Sequence, residues 1–85
     1  MPAKRQAKSV AIAFGTELRS ARLKAKLTQQ RLAEGADIDP VFVSFLENGQ
    51  RQPSLTVVLS LERVLGLGAG ELSSRTARRL RTAAK

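Results

Sequence analysis

The tetrapeptide Asp37-Ile38-Asp39-Pro40 leaves the backbone few choices. Asp is among the few residues besides glycine that tolerate the left-handed conformation a sharp helix exit demands. A proline directly after a carboxylate is pre-set for the first turn of a new helix, whose free amides the carboxylate can cap. The chain is therefore expected to leave one helix near Ala36, turn at Asp37 and Ile38, and enter another near Pro40. Before this break, Thr28 reads as an N-cap, with Arg31 where a capping box prefers Glu and with Leu32, Ala33 and Ala36 as the buried stripe of a short helix over 28–36. After it, Ile38 serves as a staple, Val43 and Leu46 form the stripe, and Gly49 ends a helix of about nine residues.

The flanks extend the same pattern. Val10, Phe14, Leu18, Ala21 and Ala25 recur at spacings of three and four, which predicts an amphipathic first helix from Val10 to Lys26 with Ser9 as N-cap. Downstream, Ser54 caps a fourth helix with an apolar face of Leu55, Val58, Leu59 and Leu65, and Gly66 stops it. Gly68 and Gly70 flank a turn into a basic segment, residues 71–82, that reads as helical or partly disordered. No strand signal or repeat interrupts this series, so the fold class is all-α, a bundle of four to five helices around one core. The 85 residues suffice for a single domain. We divide the chain into a basic N-terminal arm (1–9), a helical domain (10–72) and a basic C-terminal segment (73–85).

Composition narrows the chemistry. Cysteine and histidine are absent, so no disulfide framework, thiolate metal site or nucleophilic thiol is expected, and no cofactor is implied. Seven scattered carboxylates form no recognisable acid-base or nucleophile arrangement, which argues against an enzyme. No apolar run approaches the roughly 18 residues a membrane helix needs, and a cytoplasmic protein is expected, associated with a bacterial or phage nucleoid. The net charge of +8 points to nucleic acid, since neutralising phosphates supplies most sequence-independent affinity. The excess sits at the ends, on Lys4, Arg5 and Lys8 and on Arg75, Arg78, Arg79, Arg81 and Lys85, while residues 10–74 balance seven bases against seven acids. Charge alone marks the tails as the contact.

Two short helices joined through a tight turn form a helix-turn-helix, which places its second helix in a DNA major groove. Four stretches carry a more specific likeness: Phe14-Gly15-x-x-Leu18-Arg19-x-x-Arg22, Leu27-Thr28-Gln29-x-x-Leu32-Ala33, Val43-Ser44-x-Leu46-Glu47-Asn48-Gly49 and Arg51-x-Pro53-Ser54-Leu55. In order and spacing they resemble the lambda-repressor and Cro-like (XRE) helix-turn-helix family over residues 14–72. The resemblance implies backbone-phosphate contacts at Thr28 and Gln29, and again at Asn48, Gln50, Arg51 and Gln52. It implies a buried ion pair between Arg22 and Glu47, and base readout from Pro40, Val41, Ser44 and Phe45. That face lacks the Arg, Lys, Asn or Gln that bond bidentately to purines, so readout would use Ser44, thymine methyls against Val41 and Phe45, and DNA shape. The sequence departs from the family pattern at Lys26 and Asp37, where glycine is common, at Gly35 inside a helix, and at Glu62 in a usually small apolar place.

The resemblance further implies a transcriptional regulator, a repressor or autoregulator, binding double-stranded DNA as a homodimer on a palindromic operator. Val57, Leu61, Val64, Leu67 and Leu72 are the candidate dimer interface, unless several of them complete the core. In a second reading Val41, Phe42 and Phe45 form an apolar patch for a partner protein, as in an antitoxin.

Overall fold

The computed structural model describes residues 4–83. Five helices follow one another: α1 (Lys4–Lys24), α2 (Gln29–Ala36), α3 (Pro40–Glu47), α4 (Leu55–Leu65) and α5 (Glu71–Ala83). No residue among those described lies in a strand. Leu18, Leu32, Val43, Leu46, Leu61 and Leu72, at least one from each helix, are fully buried, and Phe14, Ala21, Ala33 and Ala36 complete the cluster. No helix among the described residues is long and apolar enough to cross a membrane.

The caps fall where local chemistry puts them. Thr28 Oγ1 accepts from the Arg31 amide at 3.0 Å, Asp39 Oδ1 from Val41 at 2.7 Å, and Ser54 Oγ from Val57 at 3.2 Å. Asp37 takes the left-handed conformation (φ 57°, ψ 47°) after α2, and the Ile38 amide closes back on the Ala33 carbonyl at 3.0 Å. Lys26 does the same after α1 with φ 61°. A left-handed lysine carries a steric cost that glycine lacks, of about 1–2 kcal/mol, partly offset by the freer unfolded chain of glycine. Lys26→Gly is therefore expected to raise the melting temperature by about 3–6 °C. An unchanged or lower value in thermal circular dichroism would show that the strain is not there.

Three expectations need correction. The first helix begins by Lys4, so residues 4–9 are helix and not an arm, and Ser9 lies inside α1 instead of capping it. The reason is local: Lys-Arg-Gln-Ala-Lys are all good helix formers with no breaker among them, and Gln52 fastens this turn by donating to the Ala7 carbonyl at 2.9 Å. Residues 1–3, the rest of that arm, lie outside the described residues. Second, the apolar face of α4 is turned. Leu55 (71%) and Leu59 (46%) are exposed, while Leu61 is buried and Val57, Val58, Val64 and Leu65 pack against the core. Third, Leu61 and Leu72 are fully buried within the single chain and cannot form a dimer interface. Val57, Val64 and Leu67 are half-buried against the same core.

Glu62, in a place where an apolar residue is usual, is also accounted for. Its carboxylate is buried and accepts from the backbone amides of Gly70 (3.0 Å) and Leu72 (2.8 Å). These are free donors at the start of α5, so an anion there satisfies orphan amides and suits the helix dipole.

Two glycines set interhelix distances. A Cβ on Gly15 would collide with the Leu46 carbonyl oxygen and lie 2.7 Å from that of Glu47, so α1 meets the end of α3 backbone to backbone. A Cβ on Gly35 would meet the Val64 methyls at 3.0 Å, which explains a poor helix former inside α2. The side of α1 that meets α3 carries Gly15 and, one turn earlier, Ile12. Val10, Phe14, Glu17, Ala21 and Lys24, about half a turn away at 100° per residue, face α5. Helices α3 and α5 thus lie on opposite sides of α1.

Candidate nucleic-acid interface

Helix α3 is held by its inner face and by both ends. Val43 and Leu46 are buried and Phe42 packs against the core. Residues 40, 41, 44, 45 and 48 occupy the other side. Pro40, Val41 (59% exposed) and Phe45 (36%) are exposed, and Ser44 is half-buried beside them. The residues expected to read bases therefore share one outward face. Phe42 is partly buried against the core, so Val41 and Phe45 are the exposed members of the apolar patch considered for a protein partner.

The end of α3 is fixed by a buried ion pair. Arg22 Nε lies 2.6 Å from Glu47 Oε2 and Nη2 lies 3.0 Å from Oε1, a two-pronged arrangement in which both side chains are buried. Arg22 Nη1 also donates to the Leu27 carbonyl at 2.9 Å, and Gln29 Nε2 donates to Glu47 Oε1 at 3.0 Å. One carboxylate thus joins α1, the start of α2 and the last turn of α3. Charge-assisted forked bonds of this kind add geometric specificity.

The expected phosphate-contact residues divide into free and engaged groups. Thr28 is exposed at the start of α2, where helix amides form a natural anion site. The Gln29 amide already donates to Glu47, which leaves its second N–H for a ligand. Asn48 and Gln50 are exposed beyond α3. The Arg51 guanidinium lies over the Phe45 ring, 5.6 Å from its centroid, and this cation–π contact holds the charge beside the reading face. Gln52 Nε2 donates to the Ala7 carbonyl, which ties the loop to α1 and leaves its second N–H. Asp39, which would otherwise repel phosphates, is engaged as the α3 cap.

The C-terminal arginines do not join this surface. Arg75 pairs with Glu71 at 3.0 Å and Arg79 with Glu17 at 2.5 Å, on the side of α1 away from α3. Composition marked both tails, and the structure separates them: α5 faces away, whereas Lys8 lies beside the loop after α3. Four features escaped sequence reasoning: the Arg51–Phe45 stack, the two glutamine bonds and the place of Lys8 beside the loop after α3. Gly15 did leave a signal, since a glycine inside a helix often marks a close backbone approach.

A short capped helix, a left-handed turn and a second helix presenting an outward face define a helix-turn-helix DNA-binding protein. The chain belongs to the Xre-like helix-turn-helix family, whose model matches residues 18–72. It is 35% identical over 66 residues to the control protein C.MunI of a Mycoplasma species, covering 76% of this chain and 89% of that protein. Its fold superposes on the clp gene regulator ClgR of Corynebacterium glutamicum with a TM-score of 0.82 at 28% identity, over 88% of this chain and 80% of that one. The restriction-modification controller protein C.AhdI of Aeromonas hydrophila matches with a TM-score of 0.71 at 35% identity, over 73% and 94% of the two chains. The protein is a helix-turn-helix regulator of transcription related to the controller proteins.

Proposed function

We propose that this regulator binds a palindromic operator as a homodimer and acts as a repressor or autoregulator by occupying it, in the cytoplasm of its host. The observation that carries the reading is the outward face of α3, flanked by the α2 amino terminus at Thr28 and by Arg51 on the following loop. Ser44 bonds to a base edge, Val41 and Phe45 pack on thymine methyls, and the two flanks hold the backbone. One eight-residue helix reads too few base pairs alone, and two copies related by a twofold axis read half-sites about 34–36 Å apart.

The dimer face is Leu55 and Leu59, one turn apart on the outer side of α4 and left exposed by the core. Selection from a random duplex pool should recover inverted repeats with thymines under α3. The double variant Leu55→Glu, Leu59→Glu is expected to sediment as a monomer at tens of micromolar while keeping its melting temperature, because neither side chain contributes to the core. Its affinity for the selected duplex should fall about a hundredfold as two-site binding is lost. Recovery of no sequence from the pool sinks operator binding, and a dimeric variant sinks this face.

A further inference from the structure

We propose that the first turns of α1 are part of the DNA-backbone contact, with Lys8 as a phosphate ligand and Gln52 as the residue that positions it. This rests on the operator-binding reading above. A shallow crevice runs between α1 and the loop after α3, lined among others by Lys8, Ile12, Asn48, Gln50, Arg51 and Gln52.

Three observations converge there. The first is charge: no carboxylate lines the crevice, and neither Lys8 nor Arg51 forms an ion pair among the described residues. The crevice between α1 and α5 differs, because Glu71 and Glu17 each take one of its arginines. The second is attachment. Gln52 Nε2 donates to the Ala7 carbonyl at 2.9 Å, and Gly49 (φ 72°) sits so close that a Cβ would lie 3.0 Å from Ile12 Cα. The loop that carries Arg51 is therefore fastened to the turn of α1 that carries Lys8.

The third is register. Lys8, Ile12, Gly15 and Arg19 recur at spacings of four, three and four, so Lys8 lies on the side of α1 that meets α3. A duplex whose backbone rests on Arg51 passes in front of the exposed Lys8 ammonium. One N–H of Gln52 is committed to the Ala7 carbonyl, and that bond holds loop and helix together. Residues 4–12 lie outside the 18–72 span of the family model, so this contact is one that the family match does not cover.

The test is fluorescence anisotropy across a potassium chloride series, using a duplex recovered from the random pool and a scrambled duplex of equal length. Lys8→Ala is expected to weaken binding to both by the same factor, about five- to tenfold, and to reduce the slope of log affinity against log salt by about one. Its melting temperature should not change, and Lys8→Arg should restore the slope. Gln52→Leu is expected to weaken binding in the same sequence-independent way, and less than additively when combined with Lys8→Ala. Arg78→Ala removes the same charge from the opposite side of α1 and is expected to leave the slope as it is. If wild type binds and Lys8→Ala behaves like Arg78→Ala, the proposal is overturned while the operator reading stands. If wild type retains neither duplex, both are overturned together.

Discussion

Glu47→Ala is expected to lower the melting temperature by about 15–30 °C, the scale that a loss of about 3–5 kcal/mol produces in a domain of this size. The loss comes from what remains behind. Arg22 is only 8% exposed, and without Glu47 its Nε and Nη2 have no anion and little water. Gln29 loses its acceptor as well, which frees the start of α2 from the end of α3. Arg22→Ala should cost a similar amount, since it strands the carboxylate instead. The pair itself does not account for a stability of that size, because bringing two charges out of water consumes most of their attraction. The double variant Arg22→Met, Glu47→Leu is accordingly expected to melt above either alanine variant. Chemical denaturation of wild type, the two alanine variants and the doubly alanine-substituted protein (Arg22→Ala, Glu47→Ala) gives the coupling energy. If both single variants melt within a few degrees of wild type, the buried pair is not the clamp described here.

Much of this fold was legible because its boundaries are written in single residues with one physical meaning. Thr28, Asp39 and Ser54 cap helices by accepting from amides two or three residues on. Gly66 stops α4 in the left-handed conformation with its own N–H donating back to Arg63, and Asp37 occupies the left-handed turn its side chain permits. On helix α4, Val58 and Leu65 turn inward as expected while Leu55 and Leu59 do not, for a reason equally physical. Apolar residues cover two neighbouring stripes, 55 and 59 on one and 57, 61 and 64 on the other, so periodicity fits both. Only the neighbours decide which one turns inward. Glu62 was opaque because its partners, the amides of Gly70 and Leu72, are free only once α5 has formed.

The interface divides along the same line. That Pro40, Val41, Ser44 and Phe45 share a face follows from helical spacing and from the buried positions of Val43 and Leu46. Which polar groups stay available does not. Gln29 reaches a carboxylate 18 residues away and Gln52 a carbonyl 45 residues away, and neither separation has a local pattern. The net charge misled for a related reason. Composition counts the α5 arginines without seeing that Glu17 and Glu71 hold two of them on the far side of α1.

Gly15→Ala is expected to damage DNA binding more than it damages the fold. On helix propensity alone the change should help by about 1 kcal/mol. The added Cβ, however, would press on the carbonyl oxygens of Leu46 and Glu47, which are backbone atoms and cannot rotate aside as a side chain can. Either α1 bends or the last turn of α3 moves outward, and overpacking of this kind costs about 1–3 kcal/mol or more. The moving part carries the reading face, Glu47 with its clamp, and the loop with Arg51. At a temperature where the variant keeps its helical circular dichroism, affinity for the selected duplex should fall about tenfold or more, the equivalent of about 1.4 kcal/mol. Gly35→Ala is the informative comparison. Its Cβ would meet the Val64 methyls at 3.0 Å, and a valine side chain with solvent beside it can yield. Its helix gain then offsets the crowding, and both stability and affinity should stay near wild type. Equal affinities for the two alanine variants would mean that the close approach of α1 to α3 does not set the position of the reading helix.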